Sequence, residues 1–244
     1  MKTALITGAN RGIGFATARQ LAKENVNVLI GARDADKGEK AVSQLKEEGL
    51  NAEFLLIDVN SRSSVDSAAG QVKMRYGQLD ILINNAGILP EATADPSNGP
   101  LNLPMFRQTF ETNFFGAITV TQAFLPLLRE SEAGRIVNVS STVGSLADQS
   151  DPSSPYYDLM VPAYQTSKTA LNGITVALSK HLKDTSIKVN SVCPGFVQTD
   201  LTPQNRSQAP LTAEEAARPI IKMGLIPQDG PTGQFFDADG VVPW

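Results

Sequence analysis

Short apolar runs alternate with amphipathic stretches along most of the chain. Residues 3–7, 26–30 and 80–84 form apolar runs of strand length, whereas residues 13–23 repeat their apolar positions at helical spacing. The same alternation continues to the end of the sequence. It predicts strands at 3–7, 26–30, 53–57, 80–84, 135–139, 187–193 and 233–236, and helices at 13–23, 34–48, 61–76, 106–130, 163–183 and 213–224.

This order of elements predicts a single α/β domain over residues 1–244. Strands that alternate with crossover helices run parallel, so we expect a doubly wound sheet of about seven strands with helices on both faces. No internal repeat or low-complexity linker divides the chain. Three segments rich in Pro, Ser, Asp or Asn follow strands, at 88–104, 142–162 and 198–211. They should lie at the carboxyl edge of the sheet, where open α/β folds bind ligands.

The composition argues against several classes of protein. A net charge of −4 and a pI of about 5.1 argue against a nucleic-acid partner. The sequence shows neither a signal peptide nor an apolar run of membrane-spanning length, so we expect no membrane partner and a cytoplasmic location. The one cysteine, Cys193, is interpreted as a small core residue. With His181 as the one histidine and no cysteine pair, neither a metal site nor a Ser-His-Asp hydrolase is expected.

A glycine-rich segment joins the first predicted strand to the first predicted helix, and residues 7–14 read T-G-A-N-R-G-I-G. Gly8 permits a tight turn, Gly12 lets the backbone approach a pyrophosphate, and Gly14 lets the helix pack on the strand. The helix N-terminus offers free N–H groups and a positive dipole end to phosphates. Taken alone, such a loop could be a structural turn. At the start of a β-α-β unit it predicts a Rossmann-type dinucleotide site.

Further motifs follow in the order found in a known family. They are N-N-A-G at 84–87, Asn113 in a predicted helix, Ser140-Ser141 at a strand end, Y-x-x-x-K at 164–168 and Pro194-Gly195. Together with the T-G-x-x-x-G-x-G loop they resemble the short-chain dehydrogenase/reductase (SDR) family from residue 3 to about residue 200. Within that family the chain is most similar to the carbonyl reductase group, on segments 112–116, 193–195 and 199–200 and on Trp244.

The resemblance implies reduction of a ketone or aldehyde by hydride transfer from a nicotinamide, with Tyr164 as general acid. By the same resemblance, Lys168 lowers the pKa of Tyr164 and binds the nicotinamide ribose. Ser141 orients the substrate oxygen, and Asn113 holds a water that links Lys168 to solvent. The spacing of Tyr164 and Lys168 agrees with these roles, because two positions four apart on a helix share a face. A nearby cation lowers the pKa of a tyrosine. Ser140 is the alternative to Ser141, since side chains alternate at a strand end.

The end of the second predicted strand discriminates between the two nicotinamide cofactors. An acidic residue there would bind a ribose 2′-hydroxyl, but this chain has Ala32 and then Arg33. Arg33 and Arg11 can clamp a 2′-phosphate, so we predict NADP(H). The alternatives are that both arginines are solvated, or that Asp34 pairs with Arg33. The predicted cofactor-binding residues are Gly8, Asn10, Arg11, Gly12, Ile13, Gly14, Arg33, Asp58, Val59, Asn85, Ala86, Gly87, Tyr164, Lys168, Pro194, Gly195, Val197 and Thr199.

The resemblance divides the domain into a cofactor half, at about 1–140, and a catalytic and substrate half, at about 141–244. Two other functions compete with the carbonyl reductase. They are an NAD(P)-dependent alcohol dehydrogenase that works oxidatively and a non-catalytic NADP-binding regulator on the same fold. The interval from Ser141 to Tyr164 is longer than in many members of the family, so the chain could be a monomer or a homo-oligomer. The small-molecule carbonyl substrate, its stereochemistry and the physiological direction stay open, although Tyr156, Tyr157, Leu159, Met160 and Phe196 favour an apolar pocket.

Overall fold

The computed structural model describes residues 1–95 and 99–244. A seven-stranded parallel sheet lies at the centre of the protein, in the order β3-β2-β1-β4-β5-β6-β7. The strands are β1 (Thr3–Thr7), β2 (Asn27–Ala32), β3 (Ala52–Leu56), β4 (Ile81–Asn84), β5 (Arg135–Val139), β6 (Lys188–Val192) and β7 (Phe235–Phe236). The predicted doubly wound α/β fold is confirmed.

Helices connect the strands and cover both faces of the sheet. They are α1 (Gly12–Lys23), α2 (Ala35–Glu47), α3 (Arg62–Tyr76), α4 (Leu103–Phe110), α5 (Gly116–Arg129), α6 (Leu146–Ser150), α7 (Pro162–His181), α8 (Asn205–Gln208) and α9 (Ala213–Gly224). Two 3₁₀ turns, at Pro90–Thr93 and Thr142–Gly144, and a π-helical turn at Glu111–Phe115 complete the described elements. None of the described helices is long and apolar enough to cross a membrane.

The core consists of two apolar layers, one on each side of the sheet. Ala4 and Ile6 of β1 point into the layer under α1, α2 and α9, whereas Leu5 between them points into the layer under α3 and α5. β4 repeats the alternation, with Ile83 on the first side and Leu82 on the second. Because both faces are covered, residues 4–6 of β1 and 81–83 of β4 are continuous apolar runs, as is typical of buried parallel strands.

The chain reverses its direction across the sheet between β1 and β4. From β1 it winds outward through β2 and β3, and it then returns to the other side of β1 and winds outward again from β4 to β7. The loops that follow β1 and β4 therefore diverge and leave a crevice at the carboxyl edge of the sheet. That crevice is where the glycine loop and the N-N-A-G segment meet.

The predicted single helix at 106–130 is wrong. The structure has α4, then the π-helical turn Glu111–Phe115, then α5. A π turn inserts an extra residue into a helix and often marks a functional site. The apolar pattern conceals it, because Phe106, Phe110 and Phe114 keep helical spacing and their rings contact one another in succession.

The three polar segments carry short elements that the sequence does not predict. The 3₁₀ turn at 90–93 lies in the segment 88–104, the 3₁₀ turn at 142–144 and α6 lie in the segment 142–162, and α8 lies in the segment 198–211. Residues 96–98 of the first segment lie outside the described residues. All three segments follow the ends of β4, β5 and β6, as predicted, and so border the crevice.

Candidate active site

A cleft at the carboxyl edge of the sheet brings together predicted site residues from seven separate segments. Every predicted cofactor-binding residue lines it, as do Ser141 and both residues of the Tyr164–Lys168 pair. Asn113 does not line the cleft and is buried behind it. Residues that line the cleft but are absent from the prediction are Ala32, Ile57, Asn60, Ile88, Thr112, Val139, Ser140, Asp200, Leu201 and Asn205.

The glycine loop exposes the start of α1 to the cleft. Gly8 and Gly12 have φ values of 66° and 57°, in the left-handed region that glycine tolerates best. A Cβ on Gly14 would lie 2.5 Å from Asn85 Nδ2 and 2.8 Å from the carbonyl oxygen of Gly8, so the helix can approach the loop only with glycine there. No side chain caps the start of α1. Its first N–H groups are therefore available to an anion.

The end of β1 is held to the end of β4 by side-chain hydrogen bonds. Asn85 Nδ2 donates to the carbonyl oxygen of Thr7 at 2.8 Å and to that of Gly8 at 3.3 Å. The hydroxyl of Thr7 accepts from the backbone N–H groups of Asn85 and Ala86 at 3.0 and 3.1 Å. The amide of Asn85 therefore fixes the shape of the glycine loop, in addition to lining the cleft beside it.

The corner of the cleft at the end of β2 carries positive charge. Arg33 is exposed there, and no described residue forms an ion pair with it. Asp34 does not take the role of its partner, because its carboxylate lies 2.8 Å from Lys37 Nζ and caps α2 through the N–H of Lys37. The side-chain hydrogen bond to Lys37 is also the main reason why the pKa of Asp34 is lowered.

The second arginine, Arg11, is engaged in a contact that the sequence does not predict. Its Nη1 lies 3.1 Å from Asp200 Oδ2, and the other oxygen of Asp200 pairs with Arg206. Asp200 belongs to the segment after β6, so this ion bridge crosses from the glycine loop to the loop on the opposite side of the cleft. The spacing of charges along the sequence gives no signal for it, because Arg11 and Asp200 are far apart in the chain.

The carboxyl end of β5 distinguishes the two candidate serines. Ser140 is buried, and its hydroxyl points back to α7, 3.5 Å from the carbonyl oxygen of Lys168. Ser141 is more exposed, lines the cleft together with Tyr164, and interacts with the phenol in a way that lowers the pKa of Tyr164. Both serines line the cleft, but only Ser141 contributes to the titration of the phenol, which favours the serine that the resemblance implies.

Tyr164 and Lys168 lie one turn apart near the start of α7. Lys168 Nζ donates to the carbonyl oxygen of Val139 at 2.8 Å and lies 5.5 Å from the centre of the Tyr164 ring. Gly144 lies against α7, where a Cβ would come 2.7 Å from Lys168 Cβ. This close contact lets the turn after Ser141 lie directly beside the pair.

Burial dominates the titration of both groups. It raises the pKa of Tyr164, with a smaller contribution from Cys193, whereas the hydrogen bond with Ser141 acts in the opposite direction. Burial also lowers the pKa of Lys168 to about 8. The predicted net lowering of the pKa of Tyr164 is therefore wrong for the protein chain by itself. Desolvation of the phenol is the largest cause of the shift, and the ammonium group of Lys168 is not among its causes.

The side chain of Asn113 joins two parts of the site. Its Oδ1 accepts from the N–H of Ile88 at 2.8 Å, and its Nδ2 donates to the carbonyl oxygen of Ile88 at 3.0 Å and to Ser167 Oγ at 3.1 Å. The π-helical turn carries Asn113 and directs it at this junction. The structure thus gives this residue a role in fixing the loop after β4 to α7, which the sequence analysis does not predict.

Comparison with known proteins agrees with this geometry. The short chain dehydrogenase family profile matches residues 2–210. The chain belongs to this family. It is 43% identical to the short-chain dehydrogenase anuI of Penicillium roqueforti, over 89% of this chain and 86% of that protein. It is 32% identical to mouse carbonyl reductase [NADPH] 1, over 99% of this chain and 98% of that protein. As a short chain dehydrogenase, the chain is an oxidoreductase, and its predicted resemblance to carbonyl reductases is confirmed.

The fold comparison leads to the same group of enzymes. The crystal structure of NADPH-bound carbonyl reductase from chicken fatty liver superposes with a TM-score of 0.84 and 27% identity, covering 100% of this chain and 99% of that one. Two independent comparisons, of sequence and of fold, therefore place this short chain dehydrogenase beside carbonyl reductases.

Proposed function

We propose that the protein is an NADPH-dependent carbonyl reductase that reduces a small ketone or aldehyde to an alcohol, with Tyr164 as the proton donor. One observation carries the proposal. A single cleft contains a nucleotide-binding glycine loop at one end and the Ser141–Tyr164–Lys168 group at the other. The relatives add support, since mouse carbonyl reductase is named for NADPH and the chicken enzyme was crystallised with it.

The described residues fit NADPH along the whole cleft. The uncapped start of α1 and the left-handed glycines offer N–H groups to the pyrophosphate. Arg33 would bind the 2′-phosphate, where an acidic residue would repel it, and Asp58 with Val59 would border the adenine. The nicotinamide end would lie against segment 194–199, and the ribose beside it would bind Tyr164 and Lys168. When bound, the cofactor supplies the hydride.

A proton donor must carry its proton at the operating pH and must also be acidic enough to release it. Tyr164 meets the first condition at neutral pH, whereas burial, which raises the pKa of the phenol, weakens it as an acid until nearby positive charge stabilises the phenolate. The hydroxyl of Ser141 lines the same cleft, lowers the pKa of the phenol by its interaction, and would bind the same substrate oxygen. Lys168, with a pKa of about 8, is mostly protonated at neutral pH and stabilises the phenolate that remains after transfer.

Exposed apolar side chains after β5 and β6 support an apolar carbonyl substrate, although none of the five residues predicted for an apolar pocket lines the cleft as described. Met160 is 68% exposed, Phe196 is 48% exposed and Tyr157 is 47% exposed, although large apolar side chains are usually covered. They belong to the segments that follow β5 and β6, which also carry Ser141 and Pro194. The division into a cofactor half and a substrate half fits this placement, because the segments that would face the substrate lie after residue 140.

The oxidation of NADPH by an aromatic aldehyde, such as nitrobenzaldehyde, tests the proposal. We expect turnover with NADPH, a much lower kcat/KM with NADH, and better turnover of aryl carbonyl compounds than of polar sugars. Binding of NADPH without turnover of any aldehyde, ketone or dione would contradict the proposal and favour the non-catalytic regulator. Oxidation of alcohols with a preference for NAD⁺ over NADP⁺ as hydride acceptor would favour the alcohol dehydrogenase.

A further inference from the structure

The helix that carries Tyr164 lacks a cap of its own. Helix α7 begins at Pro162, and Val161 before it offers no side-chain hydrogen bond to the first turn. Pro162 has no N–H group, so the first backbone donors of the helix are those of Ala163 and Tyr164. At most helix starts a Ser, Thr, Asp or Asn at the preceding position accepts such donors. Here a different part of the chain must supply the acceptor.

The carboxylate of Glu91 supplies both hydrogen bonds. Its Oε1 accepts from the N–H of Ala163 at 2.9 Å, and its Oε2 accepts from the N–H of Tyr164 at 2.7 Å. A carboxylate in this position forms charge-assisted hydrogen bonds and also faces the positive end of the helix dipole. Glu91 thus replaces the missing cap and binds directly to the backbone of the proposed proton donor.

Glu91 lies in the loop that follows β4, within the 3₁₀ turn Pro90–Thr93. The same loop is fixed to α7 at a second point, because Asn113 binds both backbone groups of Ile88 and donates to Ser167 Oγ. Ser167 Oγ in turn donates to the carbonyl oxygen of Tyr164 at 2.7 Å. The N–H and the carbonyl group of Tyr164 are therefore both tied to the loop that begins with Asn85, Ala86 and Gly87 at the floor of the cleft.

We propose that Glu91 is a positioning residue that sets the place of Tyr164 relative to the cofactor-binding loop after β4. This inference rests on the proposed function, because it assumes that Tyr164 is the proton donor. Glu91 does not line the cleft and acts through the backbone of α7. An ordinary cap from the residue before α7 would order the helix start, but it would not connect α7 to the loop beneath the nicotinamide end of the cleft. Small displacements of a reacting group have large effects on rate.

The test compares Glu91→Ala and Glu91→Gln with the unchanged protein in steady-state reduction of nitrobenzaldehyde by NADPH. We expect Glu91→Ala to lower kcat about tenfold or more, while the Kd for NADPH, measured by fluorescence, stays within about twofold. Glu91→Gln keeps an acceptor oxygen and should therefore lower kcat less than Glu91→Ala does. The pH at which kcat is half-maximal should not move, because the proposed effect is on geometry and not on the titration of Tyr164.

Thr212→Ala is the matched control. It removes the capping box of α9, in which Thr212 Oγ1 accepts from the N–H of Glu215, and that helix start carries no proposed catalytic residue. We expect it to lower Tm to a similar extent as Glu91→Ala and to leave kcat within about twofold. An equal fall in kcat in both variants would attribute the effect to lost stability and overturn the inference.

Three other results for Glu91→Ala would also overturn the inference. The first is a kcat close to that of the unchanged protein, and the second is a parallel fall in kcat and in affinity for NADPH. The third is a pH profile of kcat whose midpoint shifts while its plateau stays unchanged. Failure of the proposed function would look different. In that case the unchanged protein would not turn over, or Tyr164→Phe would turn over normally, whatever the Glu91 variants do.

Discussion

The guanidinium group of Arg11 lies 3.1 Å from the carboxylate of Asp200, and this ion pair joins the glycine loop to the loop after β6. Asp200 also pairs with Arg206 of α8. One carboxylate therefore binds two arginines across the mouth of the cleft in which we place the cofactor. Arg33, at the end of β2, has no such partner among the described residues. The two arginines that the sequence predicts for the 2′-phosphate are thus in different electrostatic situations.

The first prediction concerns Asp200. Replacing it with asparagine removes a negative charge from a cleft proposed to bind a polyanion, and it releases Arg11. We expect Asp200→Asn to lower the Kd for NADPH about threefold or more, roughly 0.7 kcal/mol. Tm should change little, because the Arg11 side chain is 65% exposed and exposed pairs contribute little to stability. Fluorescence titration measures the affinity. Weaker binding of NADPH by Asp200→Asn would contradict the prediction, because it would show that the intact Arg11–Asp200 ion pair favours cofactor binding.

The second prediction concerns Arg33. Its replacement by alanine should raise the KM for NADPH tenfold or more, which corresponds to about 1.4 kcal/mol, and should barely change that for NADH. The reason is that only NADPH carries the 2′-phosphate. Lys37→Ala is a suitable control, because Lys37 is a nearby exposed cation that is already paired with Asp34. Equal effects of Arg33→Ala on both cofactors would contradict the assignment.

The third prediction separates the two serines at the end of β5. Ser141→Ala removes a hydroxyl beside Tyr164, and we expect kcat to fall about a hundredfold, as for the loss of a donor to a reacting oxygen. Ser140→Ala should leave most of kcat, because the hydroxyl of Ser140 is buried against the backbone of Lys168. Steady-state kinetics of both variants measure the two values of kcat. A larger fall in kcat for Ser140→Ala than for Ser141→Ala would show that Ser140 binds the substrate oxygen.

The fourth prediction concerns stability and follows from the lowered pKa of Lys168. Its ordinary pKa is 10.5, and burial lowers it to about 8 in the folded protein. Between these values the unfolded chain binds more protons, so this group makes stability rise with pH by up to about 1.4 kcal/mol per pH unit. Below pH 8 the charged, buried ammonium group destabilises the fold.

Lys168→Met should therefore raise Tm at pH 7 while abolishing turnover, and the gain should shrink between pH 8 and about 10.5 as the lysine loses its proton. Thermal unfolding at pH 7 and pH 10 measures the difference. A lower Tm for Lys168→Met at pH 7 would mean that the hydrogen bond to Val139 stabilises the fold more than burial of the charge destabilises it.

Local patterns are sufficient to predict the sheet and most of the site. All seven strands follow from apolar runs, and the glycine loop, the N-N-A-G segment and the Y-x-x-x-K helix follow from motifs with fixed spacing. Each of these signals lies within a few neighbouring residues. The carboxyl edge of a parallel sheet then brings them together without further information.

Contacts between distant loops are not predictable in this way. The pair Arg11–Asp200 and the hydrogen bonds from Glu91 to the start of α7 join segments that have no periodic pattern and no motif in common. The π-helical turn at Glu111–Phe115 is not predictable for a different reason, since the helical spacing of the phenylalanines continues through it. The direction of the pKa shift of Tyr164 is not predictable from the sequence, because the sequence shows the neighbouring lysine but not the burial of the phenol.

The most direct test of the central claim is the rate of hydride transfer in Tyr164→Phe, measured as single-turnover oxidation of bound NADPH by nitrobenzaldehyde. Loss of the phenolic hydroxyl should slow this step by about a hundredfold to ten-thousandfold, the usual contribution of a positioned general acid, while the Kd for NADPH rises far less, because the hydroxyl is only one of many contacts to the cofactor. A rate equal to that of the unchanged protein would contradict the account, because the proton would then come from a group other than Tyr164.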